Sequence, residues 1–172
     1  MHSRSEGLLV SAPGRAWVYG DDINTDLLAP APYLKGSMED LASHCLEELD
    51  GDFASSVNEG DVFVAGENLG IGSSREQAPQ ALQILGVRAV LAKSFGRIFY
   101  RNALNLGIPT LVCPDTHRIR KGDQLSVDAA TGVVQNLSTG ETLACESLPI
   151  HLMEMVNDGG LIPHLKKKLS AT

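Results

Sequence analysis

Apolar segments of strand length alternate with segments of helix length through the middle of the chain. The apolar runs cover residues 62–66, 87–92 and 110–113. Between them lie residues 75–85 and 94–106, each of which is followed by a glycine that can end a helix. Strands that alternate with helices are typical of β-α-β units, in which the strands are parallel and the crossovers right-handed. The pattern therefore predicts the α/β class, with a mostly parallel sheet and flanking helices.

The last third of the chain has a different pattern. Residues 124–128 and 133–137 alternate in polarity around a glycine turn and predict a β-hairpin. A further strand is expected near Leu143, and residues 151–157 have the periodicity of a short amphipathic helix.

Length and hydrophobic content allow one domain. The chain has 172 residues, 43% of them hydrophobic, which is enough for a single compact core covering residues 1–172. Residues 14–19 predict its first strand, and a helix is expected over residues 38–46 behind a serine cap. We interpret residues 1–12 as a loose lead-in and residues 165–172 as a C-terminal tail.

The charge of the chain limits its partners. A formal net charge of −7 would repel nucleic acids and anionic membranes, and the one basic run, residues 166–168, is interpreted as a solvated helix end. No apolar stretch approaches the roughly 20 residues of a membrane helix, and residues 1–11 lack a signal-peptide pattern. We therefore expect a cytoplasmic protein without a nucleic-acid or membrane partner.

The cysteines are few and widely separated. Cys45, Cys113 and Cys145 form no Cys-x-x-Cys motif, so their spacing predicts neither a disulfide framework nor a zinc or iron–sulfur motif. Buried thiols are the expected state. The five histidines are equally dispersed, and we expect neither metal ligands nor cofactor-binding residues on this chain.

The most informative local motif is a glycine-rich turn between a strand and a helix. Gly70 and Gly72 let the backbone come close to a ligand, and the N–H groups of a helix start favour an anion. Ser73 and Ser74 add hydroxyls, and Arg75 adds a planar cation suited to a carboxylate or a phosphate. The motif predicts a site for an anionic substrate.

The same residues allow other interpretations. Ser73 and Glu76 fit a capping box, in which each side chain binds the other's backbone N–H, and this role can coexist with ligand binding. A dinucleotide site is disfavoured because the spacing of Gly66, Gly70 and Gly72 lacks the third glycine of Gly-x-Gly-x-x-Gly, and no Gly-Lys-Ser/Thr follows for a P-loop.

Three blocks of the sequence, in the same order, resemble the swivel domain of the aconitase superfamily. They are GDDINTD at residues 20–26 with Pro30 and Tyr33-Leu34 after it, GENLGIGSSREQAP at residues 66–79, and KSFGRIFYRN at residues 93–102 with Asn105 and Gly107 after it. The resemblance covers most of residues 14–113. It implies the swivelling β/β/α fold, here with the C-terminal β-hairpin region attached.

The free-standing length is similar to that of the small-subunit branch of the superfamily, such as the small subunits of 3-isopropylmalate dehydratase. The resemblance implies a heteromeric hydro-lyase that interconverts 2- and 3-hydroxy diacids by dehydration and rehydration, with isopropylmalate and leucine biosynthesis as the best single expectation. Related dehydratases of 2-methylmalate (citramalate), 2,3-dimethylmalate or homoaconitate stay open, as does a non-catalytic module that only binds an anion.

The resemblance also implies roles for single residues. Ser73 matches the serine that acts as base on the substrate carbon, and Ser74 and Arg75, beside the backbone of Gly72, match residues that bind a substrate carboxylate. Asp26 matches an acidic catalytic residue, although an aspartate in a turn or helix cap would look the same.

Three further positions bear on specificity and packing. Lys35 follows Tyr33-Leu34 in the loop where the family recognises the variable group of its substrate, so it is a candidate substrate-binding residue. Arg97 and Arg101 lie four residues apart on a predicted helix, where a structural or interface role is expected.

The family's cofactor is expected on a partner. In the family a [4Fe-4S] cluster is held by three cysteines of a large subunit, and one open iron binds the substrate as a Lewis acid. The resemblance thus implies a heterodimer with a large, cluster-bearing subunit and no activity for this chain alone. Ile71 and Gln77 stand where many members have Cys and His, so any role of those two side chains is lost or moved.

Overall fold

The computed structural model describes residues 12–170, so all but the last residue of the expected lead-in, residues 1–12, lies outside the described residues. The strands are β1 (Gly14–Val18), β2 (Val62–Val64), β3 (Ala89–Ala92), β4 (Thr110–Val112), β5 (Gln124–Asp128), β6 (Val133–Asn136) and β7 (Thr142–Ala144). The α-helices are α1 (Thr25–Leu28), α2 (Met38–Ser43), α3 (Phe53–Ser56), α4 (Gln77–Ile84), α5 (Arg97–Asn105), α6 (Ile150–Asn157) and α7 (Leu161–Ser170). Short 3-10 helices cover Ala31–Tyr33 and Thr116–Arg118.

The strands of this range form one sheet in the order β4-β3-β2-β1-β5-β6-β7. Strands β1 to β4 are parallel to one another, and β5 pairs antiparallel with β1 before the β5–β6–β7 meander. The predicted α/β class, the parallel region and the C-terminal hairpin are confirmed.

The parallel strands are buried on both faces, which explains why their sequences are continuous apolar runs rather than alternating ones. Trp17, Phe63 and Val90 point to one core, which α2 and α4 cover. Their neighbours Val62 and Leu91 point to a second core, to which β5, β6, β7 and α6 contribute. The parallel part of the sheet is thus the middle layer, with helices on one face and the antiparallel strands folded over the other, as a β/β/α fold requires.

The two ends of the sheet approach each other. The N–H of Glu146, just after β7, donates to the carbonyl of Val112 at the end of β4 at 2.8 Å. At this junction the thiol of Cys145 donates to Cys113 and lowers the pKa of Cys113, while the pKa of Cys145 is raised. Cys45 and Cys113 are buried and Cys145 is half-buried, so the expectation of buried thiols holds fully for two of the three.

Most of the residues expected to form the C-terminal tail, residues 165–170, belong to a helix. Helix α7 continues to Ser170, and Lys167 pairs with Asp158 at 3.0 Å. Lys166, Lys167 and Lys168 are exposed, which agrees with a solvated helix end. No helix within residues 12–170 is long and apolar enough to cross a bilayer.

A buried carboxylate, Asp61, joins the start of β2 to β1. It accepts hydrogen bonds from the indole N–H of Trp17 at 2.9 Å, the backbone N–H of Asn58 at 2.8 Å and the backbone N–H of Arg15 at 3.1 Å. Only 5% of Asp61 is exposed, so water cannot replace these contacts.

Asp61→Ala should lower the free energy of unfolding by about 2–4 kcal/mol, because it leaves the buried indole N–H of Trp17 and two part-buried backbone N–H groups without their acceptor. Asp61→Asn retains an acceptor oxygen and should lose less. Urea denaturation followed by circular dichroism measures both. The control is Asp52→Ala, at an exposed aspartate whose side chain caps nothing, which should stay within about 0.5 kcal/mol of the parent. Equal losses for Asp61→Ala and Asp52→Ala would contradict the role of Asp61.

Candidate active site

Three loops meet at the carboxyl ends of neighbouring parallel strands. The loop after β1 covers residues 19–24, the loop after β2 covers residues 65–76, and the loop after β3 covers residues 93–96. In open α/β sheets ligands bind outside this edge, since loops from adjacent strands bring their side chains together there. The three sequence blocks singled out above are therefore neighbours in space.

Backbone hydrogen bonds tie the loops to one another. The N–H of Gly70 donates to the carbonyl of Ile23 at 2.7 Å, and the N–H of Thr25 donates to the carbonyl of Ile71 at 2.9 Å. On the other side, the N–H of Leu69 donates to the carbonyl of Ser94 at 3.0 Å. The central loop is held from both sides, which limits its freedom to move away from the first loop.

Both the backbone conformation and the surroundings of residue 70 require a glycine. Its φ is +82°, a left-handed conformation that side chains disfavour, and a Cβ there would overlap the ring of Phe99. A Cβ on Gly96 would lie 2.7 Å from the carbonyl oxygen of Gly70. Two glycines therefore allow the close approach of the second and third loops.

Ser73 is exposed and faces the first loop. Its Oγ lies 3.3 Å from Oγ1 of Thr25, which is only 3% exposed, and either hydroxyl can donate. The predicted pairing of Ser73 with Glu76 in a capping box is wrong. Glu76 itself is the residue before helix α4, and no side chain caps that helix end.

Proline explains this difference. If Ser73 were the cap, Pro79 would be the sixth helical residue and would lack the N–H that an interior position must donate. With the helix starting at Gln77, Pro79 lies in the first turn, where N–H groups have no partner within the helix. Ser73 is thereby left free for a tertiary contact.

The helix predicted over residues 94–106 also starts later than expected. Helix α5 starts at Arg97 behind Gly96, so Ser94, at the start of the predicted segment, does not cap it. The hydroxyl of Ser94 instead donates to the carboxylate of Glu67 at 2.8 Å and accepts from the N–H of Asn68 at 2.8 Å. Contacts between the loops compete with the local cap.

Arg75 and Asp26 form an ion pair across the first and second loops. Nη1 of Arg75 lies 2.8 Å from Oδ1 of Asp26 and also donates to the carbonyl of Ala29 at 3.0 Å. The hydrogen bond from Arg75, and secondarily a backbone N–H from Ala31, lower the pKa of Asp26. The side chain of Arg75 is 23% exposed and that of Asp26 is 57% exposed, so the pair is open to solvent.

Asp26 is not the cap of its helix. Asn24 has that role, because its side chain accepts from the N–H of Leu27 at 2.8 Å. Asp26 lies in the first turn of α1, where a negative charge is favourable. The carboxylate is therefore available to Arg75.

The remaining predicted site residues are more loosely placed. Gly72 and Ser74 are exposed on the loop beside Ser73, with Gly72 at φ +112°. Lys35 is exposed on the turn between the first 3-10 helix and α2, and it makes no hydrogen bond or ion pair within residues 12–170. Ile71 and Gln77 are half-buried.

Arg97 and Arg101 are exposed on α5, the helix that follows the third loop. The sequence patterns did not identify Thr25 or the carbonyl of Ala29 as parts of the site. Thr25 belongs to the first sequence block, and Ala29 lies just after it. The signal for Thr25 was its place between Asn24 and Asp26 in that block.

The residues described do not include a metal-binding group. Within residues 12–170, no three His, Cys, Asp or Glu side chains are close enough to hold a metal ion. Cys45 belongs to the core under α2 and Cys113 to the core on the other side of the sheet. The donor set of this range therefore does not fit an iron–sulfur cluster.

A family model and several known proteins are similar to this chain in sequence. The family model of the aconitase C-terminal domain matches residues 40–116. A 3-isopropylmalate dehydratase small subunit of Methanosarcina mazei is 50% identical over 158 residues, 91% of this chain and 98% of that protein. A 3-isopropylmalate dehydratase small subunit 1 of Thermotoga maritima is 45% identical over 90% of this chain and 94% of its own length.

A solved structure has the same fold. The crystal structure of a 3-isopropylmalate dehydratase chain from Methanocaldococcus jannaschii superimposes with a TM-score of 0.89 at 42% sequence identity. The match covers 94% of this chain and 96% of that one.

The ion pair can be tested on the isolated chain. Arg75→Gln should raise the pKa of Asp26 back toward 3.8, because the hydrogen bond that stabilises the carboxylate is lost. Titration of the Asp26 carboxyl carbon by NMR measures the shift. Arg97→Gln, at an exposed arginine of α5, is the matched control and should leave Asp26 unchanged. An Asp26 titration that is identical in all three proteins would mean that the pair does not form in solution.

Proposed function

Since the chain belongs to the family of 3-isopropylmalate dehydratase small subunits, we propose that it completes the active site of a hydro-lyase that isomerises 2- and 3-hydroxy diacids. The proposed substrate is 3-isopropylmalate, in leucine biosynthesis in the cytoplasm. The observation that carries the proposal is the meeting of Ser73 with the Arg75–Asp26 pair at the carboxyl edge of the parallel strands.

Arg75 is the proposed binding group for a substrate carboxylate. Within residues 12–170 its contacts with Asp26 and Ala29 engage only Nη1. The N–H groups of Nη2 and Nε remain, and together they match the two oxygens of a carboxylate. The hydroxyl of Ser74 and the exposed backbone at Gly72 are proposed to complete this grip.

Ser73 is the proposed base that takes a proton from the substrate carbon. A serine hydroxyl is a weak base, so its alkoxide must be stabilised by donors and positive charge. The Thr25 hydroxyl, buried and 3.3 Å away, can donate to that oxygen. Helix α4 contributes less than the sequence suggested, because it starts four residues after Ser73 and its field weakens within a turn.

Asp26 has a supporting role in this proposal. It fixes the direction of the Arg75 guanidinium, which is to bind a substrate carboxylate. It also partly neutralises this cation, so the empty site does not hold an unpaired positive charge. Its carboxylate stays ionised down to low pH because Arg75 lowers its pKa. Asp26 is thus proposed to act as an anion, not as a proton donor.

The proposal requires a large partner subunit. That subunit is proposed to hold a [4Fe-4S] cluster, whose open iron would act as a Lewis acid on the substrate hydroxyl and carboxylate. The residues of this chain would bind the substrate, orient it and remove its proton. The chain alone is proposed to be inactive.

Ser73→Ala should lower turnover by at least about 10²-fold, the lower end for the loss of a general base. The assay uses this chain co-expressed with a cluster-bearing large subunit and follows the absorbance of the unsaturated intermediate without oxygen. Ser55→Ala is the matched control, because Ser55 is an exposed serine on α3. This helix precedes β2 and therefore leads to the amino ends of the parallel strands, away from the site. Arg75→Lys should raise KM, since an ammonium cannot form the two-pronged contact.

Full turnover in Ser73→Ala together with an unchanged KM in Arg75→Lys would contradict the proposed mechanism. Calorimetry with the isolated chain separates the remaining alternative. Tight diacid binding without any partner would indicate a non-catalytic anion-binding module, whereas binding that needs the large subunit supports a shared site.

The substrate itself is tested by competition. Among isopropylmalate, 2-methylmalate, 2,3-dimethylmalate and homocitrate, isopropylmalate should have the highest kcat/KM. Lys35→Ala should alter the ratio of kcat/KM between these substrates. The change should not exceed about 200-fold, the upper end of what contacts to a small variable group provide. An unchanged ratio in Lys35→Ala would remove Lys35 from the substrate-binding residues. Lys166→Ala, at an exposed lysine of α7, serves as the control and should leave the ratio unchanged.

A further inference from the structure

Tyr33 and His44 form a stacked aromatic pair outside the contacts described so far. Their ring centroids are 3.6 Å apart and the rings are parallel. Tyr33 is the last residue of the first 3-10 helix, and His44 is the residue that ends α2. Both are half-buried, so the stack joins the loop after α1 to the helix that follows it.

Two carboxylates hold the imidazole of His44 in this orientation. Nδ1 lies 2.8 Å from Oε2 of Glu47, and Nε2 lies 3.8 Å from Oδ1 of Asp40. Since both ring nitrogens face a carboxylate, rotation of the ring would lose one of these contacts. The charge of Glu47, after burial, also raises the pKa of the Tyr33 hydroxyl, which is consistent with one compact cluster.

The residues just before this 3-10 helix contact the proposed carboxylate-binding residue. The carbonyl of Ala29 accepts from Arg75, and the backbone N–H of Ala31, the first residue of the 3-10 helix, helps to lower the pKa of Asp26. Pro30 lies between these two residues with φ −62°, and its ring makes this connection stiff. From Ala29 to Tyr33 there are only five residues, so a shift of the Tyr33 ring is transmitted to the acceptors that position Arg75.

We infer that His44 is a positioning residue for substrate binding, which acts by stacking on Tyr33 and thereby fixing residues 29–33, whose backbone contacts Arg75 and Asp26. This inference rests on the proposed function of Arg75. His44 itself is not expected to touch substrate, because one face of its ring is occupied by Tyr33 and both of its nitrogens face carboxylates.

The nature of the stack predicts which replacements are tolerated. Phenylalanine retains the ring and loses the contacts with Asp40 and Glu47, whereas glutamine can still bind Glu47 but has no ring. If the stack positions Arg75, His44→Phe should resemble the parent and His44→Gln should resemble His44→Ala.

The experiment uses the complex of this chain with its large subunit and measures kcat and KM for isopropylmalate. His44→Ala and His44→Gln should raise KM by about 2- to 10-fold, the range expected when one aromatic pair is lost. The value of kcat should change by less than about twofold, because a loss of uniform binding leaves turnover unchanged. His117→Ala, at an exposed histidine of the second 3-10 helix, should change neither value.

A double-mutant cycle identifies the partner of His44. Tyr33→Ala should raise KM as His44→Ala does, and the double variant should add little, because both remove the same contact. Thermal melting of each complex checks that the subunit is folded. Should His44→Ala fail to fold, the comparison of His44→Phe with His44→Gln carries the test.

The inference is overturned if His44→Gln has the KM of the parent, if His44→Phe is as impaired as His44→Ala, or if the effects of Tyr33 and His44 add fully. A fall in kcat without a rise in KM would also contradict it. If the parent complex has no hydro-lyase activity, the proposed function fails instead, and the two failures are therefore distinguishable.

Discussion

The active-site loops can meet only because two glycines let their backbones touch. At Gly70 the chain turns with a positive φ, binds the carbonyl of Ile23 and packs against Phe99, while Gly96 leaves room for its carbonyl. Ser73 and Arg75 follow within five residues and inherit their position from this junction. A side chain at either glycine would separate the loops, and every polar contact in the site depends on their staying together.

Charge in the site is balanced before any ligand arrives. The chain is acidic overall, yet its proposed substrates are dianions, so a cation must be presented locally. Arg75 provides it, and Asp26 and the carbonyl of Ala29 fix its direction. Residues 29–33 therefore help to position Arg75 although they contribute no proposed catalytic side chain.

Periodicity predicted the strands well. The helix predicted behind the cap Ser37 does start at Met38, but the starts of α4 and α5 were predicted poorly. The buried runs that became β2, β3 and β4 were visible because strands covered on both faces need continuous apolar side chains. The starts of α4 and α5 were wrong because Ser73 and Ser94 form hydrogen bonds with residues that are distant in sequence. Local capping rules contain no information about such partners, although Pro79 did carry a signal against the earlier start.

The residues of the candidate site could be predicted, but not all of their contacts, because local patterns contain no information about partners that are distant in sequence. Ser73, Arg75 and Asp26 were found through a motif and a resemblance, and the structure brings them together. The contact of Ser73 with Thr25 spans 48 residues and follows from the sheet order, which the sequence pattern alone does not determine.

The ion pair between Arg75 and Asp26 has a consequence for which molecules can occupy the site. Asp26 stays beside the guanidinium and partly neutralises it, so a carboxylate that binds to Nη2 and Nε gains less than it would from an unpaired cation. A simple monocarboxylic acid gains only this one weakened contact. A hydroxy diacid that is anchored at its other end gains from both attachments, so the ion pair favours ligands with two points of attachment.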